Sequence, residues 1–265
     1  SCSFRATEYY LSNIPESETV LMDEGSNVVE FIVAKHDYES ELNGAGRALL
    51  IRKCYPTLMD WDSSWSAYAQ SDINTWLNGE YLNTFSSAQK EAIGSTTFYY
   101  TPGFTALDFS VGSSKVSTMS KAVFLPSAHE FGADCEGNDV FGWTNRSPDY
   151  KYNEGTSFPQ AKSILESMLA ADNAALANGG RRVFTRTPDL YSASYASMYH
   201  PSDRKDFLSK MVITLEDTAI DGTSGFPILW GHTAAYGPNL IYYCAHPSFT
   251  LPETTQIDAN GKLVF

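Results

Sequence analysis

Two short apolar runs, Val28–Ala34 and Ala48–Arg52, flank the turn-forming Asn43-Gly44-Ala45-Gly46, and helical patterns begin only after both. The runs are β-branched and aromatic or aliphatic, short, and bounded by turn residues, so they read as strands joined by a loop. Then comes a helix. Ser71 and Asp72 are good N-cap residues, and Ile73, Trp76, Leu77 and Tyr81 recur at helical spacing on one apolar face. A second, short helix is predicted over 87–93, ending at Gly94, and a third over 159–178, with Ile164, Leu165, Met168, Leu169 and Leu176 on its face. Strands are predicted to resume at 122–125, 182–185, 211–215 and 240–243. Elements in blocks, without strict strand–helix–strand alternation, give an α+β fold rather than a doubly wound sheet.

Composition narrows the function classes. The 265 residues are 43% apolar and 18% charged, enough to bury a sizeable core and too apolar for wholesale disorder. Eighteen basic against thirty-one acidic residues leave a net charge of −13 with no basic stripe, so nucleic acid is not expected as a partner. No apolar run reaches the ~18–20 residues that span a bilayer, so no membrane insertion is expected. The first ten residues, SCSFRATEYY, have neither a basic nor an apolar region of the signal-peptide kind. Cys2, Cys54, Cys135 and Cys244 are widely spaced. Two disulfides or four buried thiols both fit.

Marked catalytic and cofactor motifs are absent: there is no G-x-x-x-x-G-K-[ST], G-x-G-x-x-G or G-x-S-x-G, and no cofactor is expected. His129-Glu130 lacks the second His of a zincin and reads as a polar pair capping a helix after the 122–125 strand. Asp60 and Asp62 around Trp61 read as solvated carboxylates. Glu216, Asp217 and Asp221 lack EF-hand spacing. His200, His232 and His246 are scattered and read as surface polar contacts rather than a metal site. Arg186, at a strand end before Pro188, is expected to tie loops together through carbonyls or a carboxylate, with ligand contact as the alternative.

Two segments differ from the rest. Residues 189–200 contain Tyr191, Ser192, Ser194, Tyr195, Tyr199 and His200, and residues 230–242 contain Trp230, His232, Tyr236, Asn239 and Tyr242. Large amphipathic rings among small adaptable polar residues are the composition of binding paratopes, because Tyr supplies contact area at low entropic cost. Ordinary loops with half-buried rings have the same composition, and both readings stand.

Several motifs in order resemble a domain of unassigned function found in Firmicutes and their phages. These are the opening strands Phe31–Ala34 and Ala48–Arg52, the helix from Ser71 to Leu82, and Val123-Phe124-Leu125-Pro126-Ser127 with Glu130 after it. Thr185-Arg186-Thr187-Pro188 and the closing His246-Pro247-Ser248-Phe249-Thr250-Leu251-Pro252 complete the series. The closing motif departs at His246, where the family pattern has Arg. The resemblance implies a C-type-lectin-like fold, related to formylglycine-generating enzymes and to the variable proteins of diversity-generating retroelements. It covers residues 28–265 as one domain behind an N-terminal extension, 1–27. Cys244 lacks the nearby partner that the formylglycine-generating oxidases need, and Gly237-Pro238-Asn239 lacks the acidic or amide residue of calcium-dependent sugar lectins. The implied function is therefore non-enzymatic: a receptor-recognition module displaying the Tyr/Ser/Asn/His-rich residues to a protein or glycan on a cell surface. The implied location is a phage tail or the bacterial surface. A structural tail or surface domain is the alternative.

Overall fold

The computed structural model describes residues 8–59, 68–100, 116–127, 129–132, 154–175, 180–187, 211–214, 228–231 and 241–265. In chain order the strands begin with β1 (Thr19–Glu24), β2 (Asn27–Lys35), β3 (Arg47–Arg52), β4 (Thr96–Tyr100), β5 (Ser117–Lys121) and β6 (Gly180–Thr185). They continue with β7 (Met211–Thr214), β8 (Ile228–Gly231), β9 (Ile241–Cys244), β10 (Ser248–Pro252), β11 (Gln256–Ile257) and β12 (Leu263–Val264). The α-helices are α1 (Ser40–Asn43), α2 (Asp72–Trp76), α3 (Ser87–Ile93) and α4 (Ala161–Ala175). This is an α+β fold. No helix among the described residues is long and apolar enough to cross a membrane.

The central sheet has the order β1-β2-β3-β10, antiparallel throughout. Its middle strands carry continuous apolar runs, and Phe31–Ala34 and Ala48–Ile51 are fully buried. Residues 8–27, expected to precede the domain, are built into it. β1 is the edge of the central sheet, Tyr10 bridges Gln256, and the Leu21 N–H donates to the Gly261 carbonyl at 2.9 Å. The N- and C-terminal segments therefore lie side by side. A second four-stranded sheet, β8-β7-β6-β9, is antiparallel except for the parallel pair β6–β9, and β4–β5 form a separate hairpin.

The predicted helix after Ser71 forms, but its shape differs. The Ser71 Oγ accepts the Asn74 N–H at 3.1 Å, an N-cap that starts α2. A wider π turn, Leu77–Tyr81, follows at once and contains Gly79. Trp76, expected to be buried against the sheet, is only partly buried at the rim of the core, where its ring lies 5.3 Å from that of Tyr81. Tyr81, Phe85, Phe249 and Phe31 form the continuous aromatic path inward, with centroids 5.2–5.6 Å apart. The capping box Ser86/Gln89 opens α3, and Gly94, at φ 58, closes it as predicted.

The strand expected at 122–125 is displaced. β5 ends at Lys121, and the next residues are held by side chains instead of a ladder. Asn78 brackets Val123, with its Oδ1 accepting the Val123 N–H at 3.0 Å and its amide donating to the Val123 carbonyl at 2.9 Å. The Leu125 N–H donates to the Tyr68 hydroxyl at 3.0 Å, while Phe124 makes a single bridge to Ser248. Backbone groups satisfied in this way need no strand partner.

These positions set different stability effects. Phe249→Ala, in the aromatic path, should cost ~3–5 kcal/mol, whereas Trp76→Ala, at the rim, should cost only ~1–2 kcal/mol. Urea unfolding of the two variants measures the contrast.

Candidate functional site

Arg186 follows directly on β6 and is buried, at 1% exposure. All five guanidinium N–H groups have acceptors. The Nε donates to the Tyr99 carbonyl at 2.7 Å, Nη1 to the Leu125 carbonyl at 2.8 Å and Glu130 Oε2 at 2.8 Å, and Nη2 to Glu130 Oε1 at 2.9 Å and the Glu154 carbonyl at 3.0 Å. A two-pronged Arg–carboxylate pair is both directional and strong. Phe98 and Phe124 stack at 4.2 Å between centroids and present their rings to the same guanidinium, 5.0 and 5.8 Å away. Burial alone would lower the Arg186 pKa, but Glu130, Tyr38 and Glu154 together outweigh it and the pKa is raised. The expected structural role of Arg186 matches this geometry.

Glu130 is the other half of the pair, not the helix cap read from the sequence. Its Oε2 accepts the Ser127 N–H at 2.8 Å while its own N–H donates to Ser127 Oγ at 3.0 Å, the reciprocal bonds of a capping box. The carboxylate then continues inward to Arg186 and to the Tyr38 hydroxyl. The serine–glutamate spacing announced the box; nothing local announced the arginine.

A second buried pair joins α4 to the central sheet. His246, expected at the surface, is fully buried. Its Nε2 lies 2.8 Å from Asp172 Oδ2, and its Nδ1 lies 2.8 Å from the Arg52 carbonyl. Asp172 Oδ1 also accepts the Tyr55 N–H at 3.0 Å. A carboxylate on the apolar stripe of α4, after Ile164, Leu165, Met168 and Leu169, was the available signal for a buried partner. Burial pushes the pKa of the Cys54 thiol up. No group of three His, Cys, Asp or Glu among the described residues is placed to hold a metal ion.

The residues expected to bind ligand stand mostly outside the described residues: Tyr191, Ser192, Ser194, Tyr195, Tyr199 and His200 between β6 and β7, and His232, Tyr236 and Asn239 between β8 and β9. Asp60, Asp62, Glu216, Asp217 and Asp221 also fall outside them, as do His200 and His232 of the scattered histidines. Trp230 stands in β8 and Tyr242 in β9, the two edge strands of one sheet, with β7 and β6 between them. The backbone of that sheet does relate the two segments. Thr185 pairs with Met211, and Met211 with Gly231, so the end of β6, the start of β7 and the end of β8 form one register row. At about 4.8 Å per strand, the row is about 10 Å long. The 186–210 and 232–240 segments leave the sheet from this one end, while β9 starts at the other, where Ile241 pairs with Gly180.

Buried phenols give the frame a pH limit. Burial raises the pKa of Tyr38, Tyr68 and Tyr81 above the ordinary 10.0, helped by Glu130 for Tyr38 and by Glu24 for Tyr81. A pKa raised in the folded state contributes stability that is complete below the unfolded value and lost as pH rises through the folded one. Stability should therefore fall above about pH 10, with tyrosinate absorbance from these rings appearing together with loss of the fold. Arg186→Lys, which keeps the charge but not the fork, should cost ~3–5 kcal/mol in chemical denaturation.

No curated protein and no solved structure matches the chain. One family model does, described as "Domain of unknown function (DUF6273)", over residues 45–214. That span runs from β3 through β7 and includes the capped α2, Glu130 and Arg186. With more than half of its length matched, the chain belongs to the DUF6273 family.

Proposed function

We propose that this protein is a receptor-recognition module with a C-type-lectin-like scaffold, displaying a Tyr/Ser/Asn/His-rich surface to a protein or glycan on a cell. In this reading Tyr191, Ser192, Ser194, Tyr195, Tyr199 and His200 act together with Trp230, His232, Tyr236, Asn239 and Tyr242. The observation that carries it is the register row Thr185–Met211–Gly231, from which both segments leave the sheet about 10 Å apart. Arg186, the first residue beyond β6, fixes one departure point through five donated hydrogen bonds. A rigid base with polar–aromatic segments above it favours binding, because less order must be gained on contact.

The lectin-like reading is supported by the adjacency of the N- and C-terminal segments and by the strand order β1-β2-β3-β10, which brings a late strand beside an early one. In this role the protein performs no chemistry and belongs on a phage tail or a bacterial surface. Diversification of the segments by a retroelement fits the same picture.

Tyr195→Ala and Tyr236→Ala test it. Each should weaken adsorption to a binding cell or immobilised surface extract by about tenfold, given the ~1–2 kcal/mol of a well-packed ring, with the melting temperature nearly unchanged. Loss of the fold in either variant, or unchanged adsorption in both, would refute the shared surface.

A further inference from the structure

We propose that β10 is held in the central sheet by a pH-sensitive latch, a protonated histidine pair at each of its ends, and that loss of these protons as the pH rises loosens the strand. His246 stands shortly before β10, and Glu253 directly follows its last residue, Pro252. At the first end, His246 Nε2 lies 2.8 Å from Asp172 Oδ2 and Nδ1 lies 2.8 Å from the Arg52 carbonyl. At the second, His36 Nδ1 lies 2.9 Å from Glu253 Oε1 and Nε2 lies 2.7 Å from the Ile14 carbonyl. One strand is thus tied at its start to α4 and β3, and at its end to the chain just past β2 and to the N-terminal segment.

The hydrogen-bond network assigns the protons. A carbonyl oxygen only accepts, so His246 Nδ1 and His36 Nε2 each carry a hydrogen. The other nitrogen of each ring faces a carboxylate oxygen. Asp172 Oδ1 already accepts the Tyr55 N–H at 3.0 Å, and Glu253 Oε1 accepts the Asp37 N–H at 2.9 Å, so both carboxylates act as acceptors. All four ring nitrogens are therefore donors, the state of an imidazolium. A neutral ring would turn a lone pair toward a carboxylate at the same distance, and the contact would become repulsive.

Other charged groups nearby do not take over the role. Beside the His246 pair, the Arg52 guanidinium is committed to Glu24, and burial and Asp172 favour the protonated form of the Cys54 thiol. Beside His36, Glu16 Oε1 accepts the His36 backbone N–H at 3.0 Å, and Asp37 Oδ1 accepts the Gly46 N–H at 2.7 Å. The Lys35 ammonium donates to the His36 carbonyl at 3.3 Å. The His246 side chain is fully buried and cannot turn to water without opening the seam, whereas that of His36, 24% exposed, can. A proton held only in the folded arrangement contributes stability at low pH that is lost as the pH rises.

The test uses the whole protein labelled with nitrogen-15, with ring nitrogen shifts and amide exchange as the readouts. At about pH 7, where an unpaired histidine is mostly neutral, His36 and His246 should each show two protonated ring nitrogens. From about pH 7 to about pH 9, below the range in which the tyrosines titrate, the amides of residues 248–253 should open more often. After correction for the intrinsic pH dependence of exchange, the rise should reach up to about tenfold per pH unit for each proton released. His36→Gln and His246→Gln, each with one proton fewer to release, should each reduce that response. A bare nitrogen on either ring at about pH 7, a flat corrected exchange rate across the window, or a folded variant with the full response would overturn the proposal. Should His246→Gln fail to fold, the ring shifts and the exchange of the unaltered protein decide.

Discussion

Burying a guanidinium in protein is expensive unless every N–H finds an acceptor, and Arg186 shows what meeting that condition requires. Its acceptors come from Tyr99 of β4, from Leu125, from Glu130 and from Glu154, so one side chain gathers segments far apart in sequence. Each must be in place before the others gain from it. The Ser127–Glu130 box orients the carboxylate, Phe98 and Phe124 close over the charge, and Tyr38 occupies the remaining position on Glu130. Removing one partner would leave a charge stranded, which is worse than never having buried it. Such a cluster tolerates few intermediate arrangements and so defines one.

The His246–Asp172 pair plays a parallel part at another seam. It ties α4 to the Arg52 carbonyl of β3, while the Arg52 guanidinium grips Glu24 of β1 at 2.9 and 3.0 Å and the Tyr81 hydroxyl reaches the same carboxylate at 2.8 Å. Polar contacts here run from helix to central strand to edge strand. The apolar core supplies most of the driving force, and these contacts select the register in which it packs.

Local signals in the sequence were legible and distant ones were not. The β-branched run of β2, the Ser71 cap, the span of α3 and its Gly94 stop depend on neighbours a few residues away, and each was read within a residue or two. The failures share a cause. The 122–125 segment has strand-like composition, but Asn78 and Tyr68 satisfy its backbone, and no pattern around Val123 reveals a side chain 45 residues distant. Glu130 read as a helix cap and His246 as a surface contact because the partners that allow their burial lie 56 and 74 residues away. Trp76 failed differently: the helical period continued past it while the helix widened into a π turn, rotating the face. Of the candidate binding surface, composition gave the residues and strand register gave the common point of departure.

The pairing of β3 with β10 has a consequence for how the molecule is made. Arg47 and Thr250, joined by a hydrogen bond across that pair, are 203 residues apart in sequence. A ribosome adds residues at about 5–20 per second, so β3 emerges many seconds before the strand that completes its sheet. Through that interval one side of a strand with the apolar centre Ala48–Ile51 has no ladder partner, an aggregation-prone condition. Non-local closure also slows the final step, because the entropy of joining distant segments is lost before the contacts form. Yield in a cell should thus depend on what shelters the nascent chain more than on the stability of the finished fold.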